Sequence, residues 1–189
     1  MVLFGLSQAI EARDPQAHGH SHRASALAEI VARRLGWGGS RLAALRLGGL
    51  LHDVGKLSVD AAVLRKPGSL DEVERRAIRK HPLAGARLIR RYPALRPALP
   101  YVLFHHEWWD GGGYPSGRSR EQIPLGARIL AVADAFDAMT STRTYRPALS
   151  VDLALVEVRR CAGTQFDPSV VHAFLACWAA GDLAEIRAA

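Results

Sequence analysis

LAALRLGGLLHDVGKL (residues 42–57) carries leucines at 42, 45, 47, 50 and 51 and then runs into His52, Asp53 and Lys56. Apolar residues at that spacing argue for a helix. An ionisable pair at its apolar end is costly unless it has a partner. Neighbouring residues at a helix end point in different directions, so His52 can ligate one ion while the Asp53 carboxylate spans two. An HD dipeptide alone is a weak signal; inside an apolar helix and followed by Val54-Gly55-Lys56 it is much stronger. Lys56, one turn beyond Asp53, can aim its ammonium at a phosphate held there, although alone it reads equally well as a surface lysine.

Two further stretches repeat the pattern. ILAVADAFDAM (129–139) sets Asp134 among apolar neighbours, where a buried carboxylate needs a metal or an arginine such as Arg128. Asp137 lies one turn on along the same face, as a supporting or water-positioning group or as an arginine's partner. HHEWWDGGGYP (105–115) places His105 and His106 together ahead of a glycine run that lets the backbone fold tightly past a cleft. His81, before Pro82, would supply another nitrogen. His20 stands between His18 and His22, and chemistry alone does not choose among the three. Together these are five histidines and two aspartates, more than one tetrahedral ion needs and about enough for two ions sharing a carboxylate. Imidazole and carboxylate suit borderline first-row metals: such a site favours iron or manganese, and affinity order alone admits zinc or nickel.

The bulk numbers fit one soluble domain. The chain has 189 residues, 49% hydrophobic and 23% charged, with no low-complexity tract. No apolar run approaches the ~18 residues that cross a bilayer. The start, MVLFGLSQAIEARD, lacks a basic n-region and a small-residue cleavage site, and Cys161 and Cys177 are far from CxxC spacing. A cytoplasmic protein with reduced cysteines is expected. The net charge of +7 favours an anionic partner, but the basic residues are scattered pairs such as Arg75-Arg76 and Arg90-Arg91, which read as solvated helix faces and signal nucleic acid only weakly.

Helical spacing recurs almost everywhere and no segment shows a period of two, so the expected class is all-α: a single-domain bundle of about seven helices over 1–189, with no sensory or receiver module. Ser69 with Glu72 has the capping-box form, Pro124 suits a helix's first turn, and Asp167-Pro168 opens the last substantial helix. Breaks are expected at 36–40, 66–68, 93–100 and 110–123.

The residues in order resemble the HD-GYP domain, a bacterial branch of the HD-superfamily metal-dependent phosphohydrolases. The resemblance runs from about Ile10 to Val171. It rests on EARDP (11–15), GHSHR (19–23), LLHDVGKL (50–57), KPGSL (66–70), HP (81–82), HHEWWDGGGYP (105–115), IPLGARILAVADAFDAMTS (123–141), RTYR (143–146) and FDP (166–168). It implies that His20, His52, Asp53 and Asp134 hold one ion and that Asp53 bridges to a second, held by His81, His105 and His106. It implies phosphate contacts from Lys56, Arg143 and Arg146, and a cleft lined by Asp137 and Tyr114. Gln16 stands where some members carry a glutamate that binds a third metal, which implies two ions here. The implied activity is hydrolysis of cyclic di-GMP to the linear dinucleotide, and in some members on to GMP, by a hydroxide activated between the two ions. The alternatives are a catalytically weak domain that contacts diguanylate cyclases or motility adaptors, and a phosphohydrolase of another cyclic dinucleotide.

Overall fold

Residues 12–14, 19–142 and 147–183 are described by the computed structural model, and in them the apolar spacing does become helix. The α-helices are α1 His20–Arg34, α2 Gly39–Leu51, α3 Ala61–Leu64, α4 Glu72–Ile78, α5 His81–Ile89, α6 Leu99–Phe104, α7 Leu125–Thr140, α8 Val151–Arg160 and α9 Pro168–Ala179. The described residues thus hold nine α-helices where about seven were expected, two of them, α3 and α6, only four and six residues long. A parallel bridge between Ala162 and Phe166 is the extended pairing recorded among these residues. No described helix is long and apolar enough to cross a membrane.

Two boundaries differ from expectation. Asp71, not Ser69, caps α4: its side chain accepts from the Glu74 amide at 2.9 Å and Glu74 reaches back to the Asp71 amide at 2.8 Å, a reciprocal box shifted by two residues. An aspartate accepts that bond as readily as a serine, so both frames satisfied the pattern. The expected break at 93–100 is a 3₁₀ turn, Pro93–Ala98, running into α6 with Pro100 in its first turn, where a missing N–H costs nothing. At the other end of the chain, Asp167 caps α9 through the Ser169 amide at 2.8 Å and pairs with Arg128 of α7.

The apolar residues gather into two main clusters. One takes Leu27, Val31 and Ala32 of α1, Leu42 and Leu45 of α2, Ile129 to Phe136 of α7, and Val170, Phe174 and Cys177 of α9. Phe136 and Phe174 meet edge-on at its centre, 5.0 Å between ring centroids. The other takes Leu51 and Val54 beside the α2 terminus, Ile89 of α5, and Leu95, Ala98 and Val102 before and in α6. Elements of the first cluster carry His20 and Asp134, elements of the second carry His81 and His105, and His52-Asp53 lies at the α2 end that joins them. Packing of the two clusters therefore fixes how far apart the polar groups stand.

Phe174 is fully buried. Phe174→Ala should cost about 3–5 kcal/mol of unfolding free energy, read from urea denaturation, with the cavity term included.

Candidate metal centre

Three imidazoles are set by one device. His52 Nδ1 lies 2.7 Å from the Gly49 carbonyl, His81 Nδ1 2.8 Å from that of Ile78, and His105 Nδ1 2.9 Å from that of Val102. In each case the acceptor is three residues upstream, in the last turn of α2, α4 or α6, where helix carbonyls lack an intrahelical donor. A carbonyl only accepts, so Nδ1 carries the proton and Nε2 is left with its lone pair. His20 is oriented by a carboxylate instead: its Nδ1 lies 2.6 Å from Asp137 Oδ2.

The bare nitrogens converge. His81 Nε2 and His105 Nε2 are 3.2 Å apart, lone pair toward lone pair, an arrangement that needs a cation between or beside them. His52 Nε2 is buried and has no hydrogen-bond partner. The donor atoms form two groups, each within 4.8 Å of one another: Asp53 with His81, His105 and His106, and His20 with His52 and Asp134. Asp53 faces both, with Oδ1 3.3 Å from His81 Nε2 and Oδ2 3.5 Å from His52 Nε2. Asp134 Oδ1 lies 3.0 Å from His20 Nε2 and 3.8 Å from His52 Nε2. Nitrogen and carboxylate donors in two groups that share one carboxylate fit a pair of divalent first-row ions.

Electrostatics agree with that fit. Burial pushes the His105 pKa far below the imidazole range, and pushes His106 down to about 3, keeping both in the neutral, ligating form. Burial opposes charge on Asp53, but the Lys56 ammonium beside it holds it well below the usual carboxylate range. Burial also opposes charge on His20, yet its bonds to Asp134 and Asp137 outweigh that and raise it to about 9.

Of the histidines around residue 20, His20 is the one that enters the site, while His22 is exposed and His18 lies outside the described residues. Arg128 is not the partner of Asp134, because it is taken up by Asp167 and the Ile123 carbonyl. Asp137 stands behind His20, accepting also from Arg23 Nε at 2.7 Å; both readings of that residue are realised at once. Lys56 Nζ sits 2.8 Å from Asp53 Oδ2 and 3.2 Å from Asp14 Oδ2, so it supports the shared carboxylate while lining the cleft. Tyr114 stacks on His106 at 4.8 Å between ring centroids. Arg143 and Arg146, expected at the phosphate, and Gln16 lie outside the described residues.

Two features went unread in the sequence. Glu107 is buried and accepts from the amides of Ser116 at 2.7 Å and Arg118 at 3.0 Å, folding the glycine loop back over the site. Its signal was a charged residue directly between paired histidines and an aromatic pair. Gly55 packs so closely that a Cβ there would collide with the His81 carbonyl and the Gly85 amide, so glycine lets α5 bring His81 up to Asp53. A cleft of about 250 Å³ opens onto His20, Asp53, His105, His106 and Asp134.

Asp137→Ala removes the orienting bond of His20 and leaves every donor in place. Metal affinity should fall about 10–100-fold in a chelator competition, as for other carboxylates that orient a ligating histidine.

Residues 5–170 match the HD domain family. Among curated proteins, the cyclic di-GMP phosphodiesterase response regulator RpfG of Xanthomonas campestris is 40% identical over 176 residues, covering 92% of this chain and 47% of that protein. A 3'3'-cGAMP-specific phosphodiesterase 3 of Vibrio cholerae is 35% identical over 167 residues, covering 88% of this chain and 36% of that protein. The chain thus spans less than half the length of these relatives. A solved cyclic GMP-AMP-specific phosphodiesterase of V. cholerae superposes with a TM-score of 0.75 at 20% identity, over 96% of this chain and 49% of that one, which is agreement of fold. With its histidine–aspartate pair at the centre of the site and the match running over most of its length, the chain belongs to the HD domain family.

Proposed function

We propose that this domain is a metal-dependent phosphodiesterase that opens cyclic di-GMP to its linear dinucleotide. The observation that carries the reading is the pair of donor groups joined through Asp53, with two bare imidazole nitrogens facing each other at 3.2 Å. A relative of 40% identity is named for the same reaction. Two divalent ions in these groups, iron or manganese, would supply a water nucleophile active at neutral pH and charge neutralisation at the phosphoryl oxygens.

The chain's own residues account for the rest. His52, His81 and His105 are locked in one tautomer, so their donor atoms need no reorganisation when the phosphate arrives, which is the advantage of a preorganised site. Burial disfavours charge on Lys56, but Asp53 and Asp14 more than compensate and raise its pKa above the ordinary lysine value. A permanent ammonium therefore sits at the cleft floor, where a non-bridging phosphate oxygen would meet it. Arg143 and Arg146 are assigned to the same phosphate on the sequence resemblance alone. Asp137 acts through His20, as a positioning residue. Tyr114 covers His106 from the glycine loop that Glu107 holds.

A second cyclic dinucleotide is a specific competitor as substrate, because the relative of 35% identity is named for 3'3'-cGAMP.

The test is turnover by metal-loaded protein of cyclic di-GMP, 3'3'-cGAMP and cyclic di-AMP, with products separated by chromatography. Linear dinucleotide should accumulate from cyclic di-GMP, and chelation should stop it. Asp53→Ala should lose bound metal and rate together, by on the order of 100-fold or more, since nucleophile and charge neutralisation both depend on the ions. Loss of metal without loss of rate contradicts the reading, and loaded protein that turns over none of the three removes it.

A further inference from the structure

One wall of the cleft is not explained by metal binding or by phosphate chemistry. Trp108 and Gln165 line it beside the metal ligands, together with Ala131, Ala135 and Ala138. The alanines lie on the face of α7 that carries Asp134, at helical spacing, and a single methyl at each keeps the space next to that carboxylate open. Trp108 is one of the few large apolar side chains left 39% exposed among the described residues, and it follows directly on Glu107.

The Trp108 side chain and the backbone of Gln165 are held from outside the cleft. A Cβ on Gly112 would lie 3.3 Å from Trp108 Cε3 and 3.8 Å from Cζ3, so the glycine loop passes close against the indole. The Asp110 amide donates to the Thr164 carbonyl at 2.9 Å and the Trp109 amide to the Gln165 carbonyl at 3.1 Å, tying the two loops together. Phe166, next to Gln165, is buried in the larger core cluster. An indole packed against the glycine loop and a carboxamide on a tethered backbone therefore border the cleft. An aromatic plane accepts a base by stacking, and a carboxamide donates and accepts together, matching the mixed edge of a purine.

We propose that Trp108 and Gln165 form the nucleobase subsite of this cleft: the indole stacks on one purine of the cyclic dinucleotide and the Gln165 amide hydrogen-bonds its edge. This rests on the cyclic-dinucleotide reading above, but it concerns binding and not cleavage. It makes Trp108 a determinant of affinity and Gln165 a determinant of which base is accepted.

The experiment is calorimetric titration of manganese-loaded protein with the bis-phosphorothioate of cyclic di-GMP, which resists hydrolysis, and with that of cyclic di-AMP. Trp108→Ala should weaken binding of the first about 5- to 150-fold, the span of stacking losses on alanine substitution, and Trp108→Phe should recover most of it. Gln165→Leu should narrow the ratio between the two ligands. Metal content and melting temperature, measured on each variant, separate a local loss from a damaged fold. Wild-type affinity in Trp108→Ala overturns the subsite, as does equal loss in Trp108→Ala and Trp108→Phe. If the wild-type protein binds the analogue tightly and loses it on Trp108→Ala but cleaves no cyclic dinucleotide, the subsite stands and the hydrolase reading falls. If the loaded wild-type protein binds neither analogue, the subsite is overturned directly.

Discussion

Each of three imidazoles commits its Nδ1 proton to a backbone carbonyl three residues upstream, and the site depends on that constraint. The acceptors, Gly49, Ile78 and Val102, lie in the last turns of α2, α4 and α6, where carbonyls would otherwise be unsatisfied. One bond thus terminates a helix, fixes a tautomer and aims a lone pair. Because the helix ends converge between two apolar clusters, the aimed lone pairs converge too, to 3.2 Å between His81 and His105.

Asp53 holds the centre of that arrangement. Its oxygens face opposite donor groups, Lys56 supports one of them, and Asp14 in turn supports Lys56. The same lysine lines the cleft, so the charge that stabilises the carboxylate would also meet an anionic substrate bound there. Elsewhere some of the positive charge is paired within one helical turn: Arg33 with Glu29, Arg76 with Glu72 and Arg160 with Glu157.

His52, Asp53, His105, His106 and Asp134 stood out in the sequence as a donor set because each is a polar residue in or beside an apolar or glycine-rich run, where only a partner makes burial tolerable. The all-helical class followed from period alone. What the sequence could not resolve was equivalence and reach. His18, His20 and His22 are chemically alike, and only the packing of α1 against α7 buries His20 beside Asp134 and Asp137. Ser69 and Asp71 both satisfy a cap pattern with a glutamate three residues on, and the choice depends on where the chain can turn. Glu107 was invisible as a loop clamp because its partners are backbone amides nine and eleven residues away, which carry no side-chain signature. The closeness of Gly55 to the His81 carbonyl is likewise a property of two segments meeting, not of either one.

The most direct measurement is the metal stoichiometry of anaerobically purified protein, by elemental analysis together with anomalous diffraction to locate the ions. The account requires two ions per chain, one between His20, His52 and Asp134 and one between His81, His105 and His106, with Asp53 contacting both. A single ion at saturation, or two ions of which Asp53 touches only one, contradicts it.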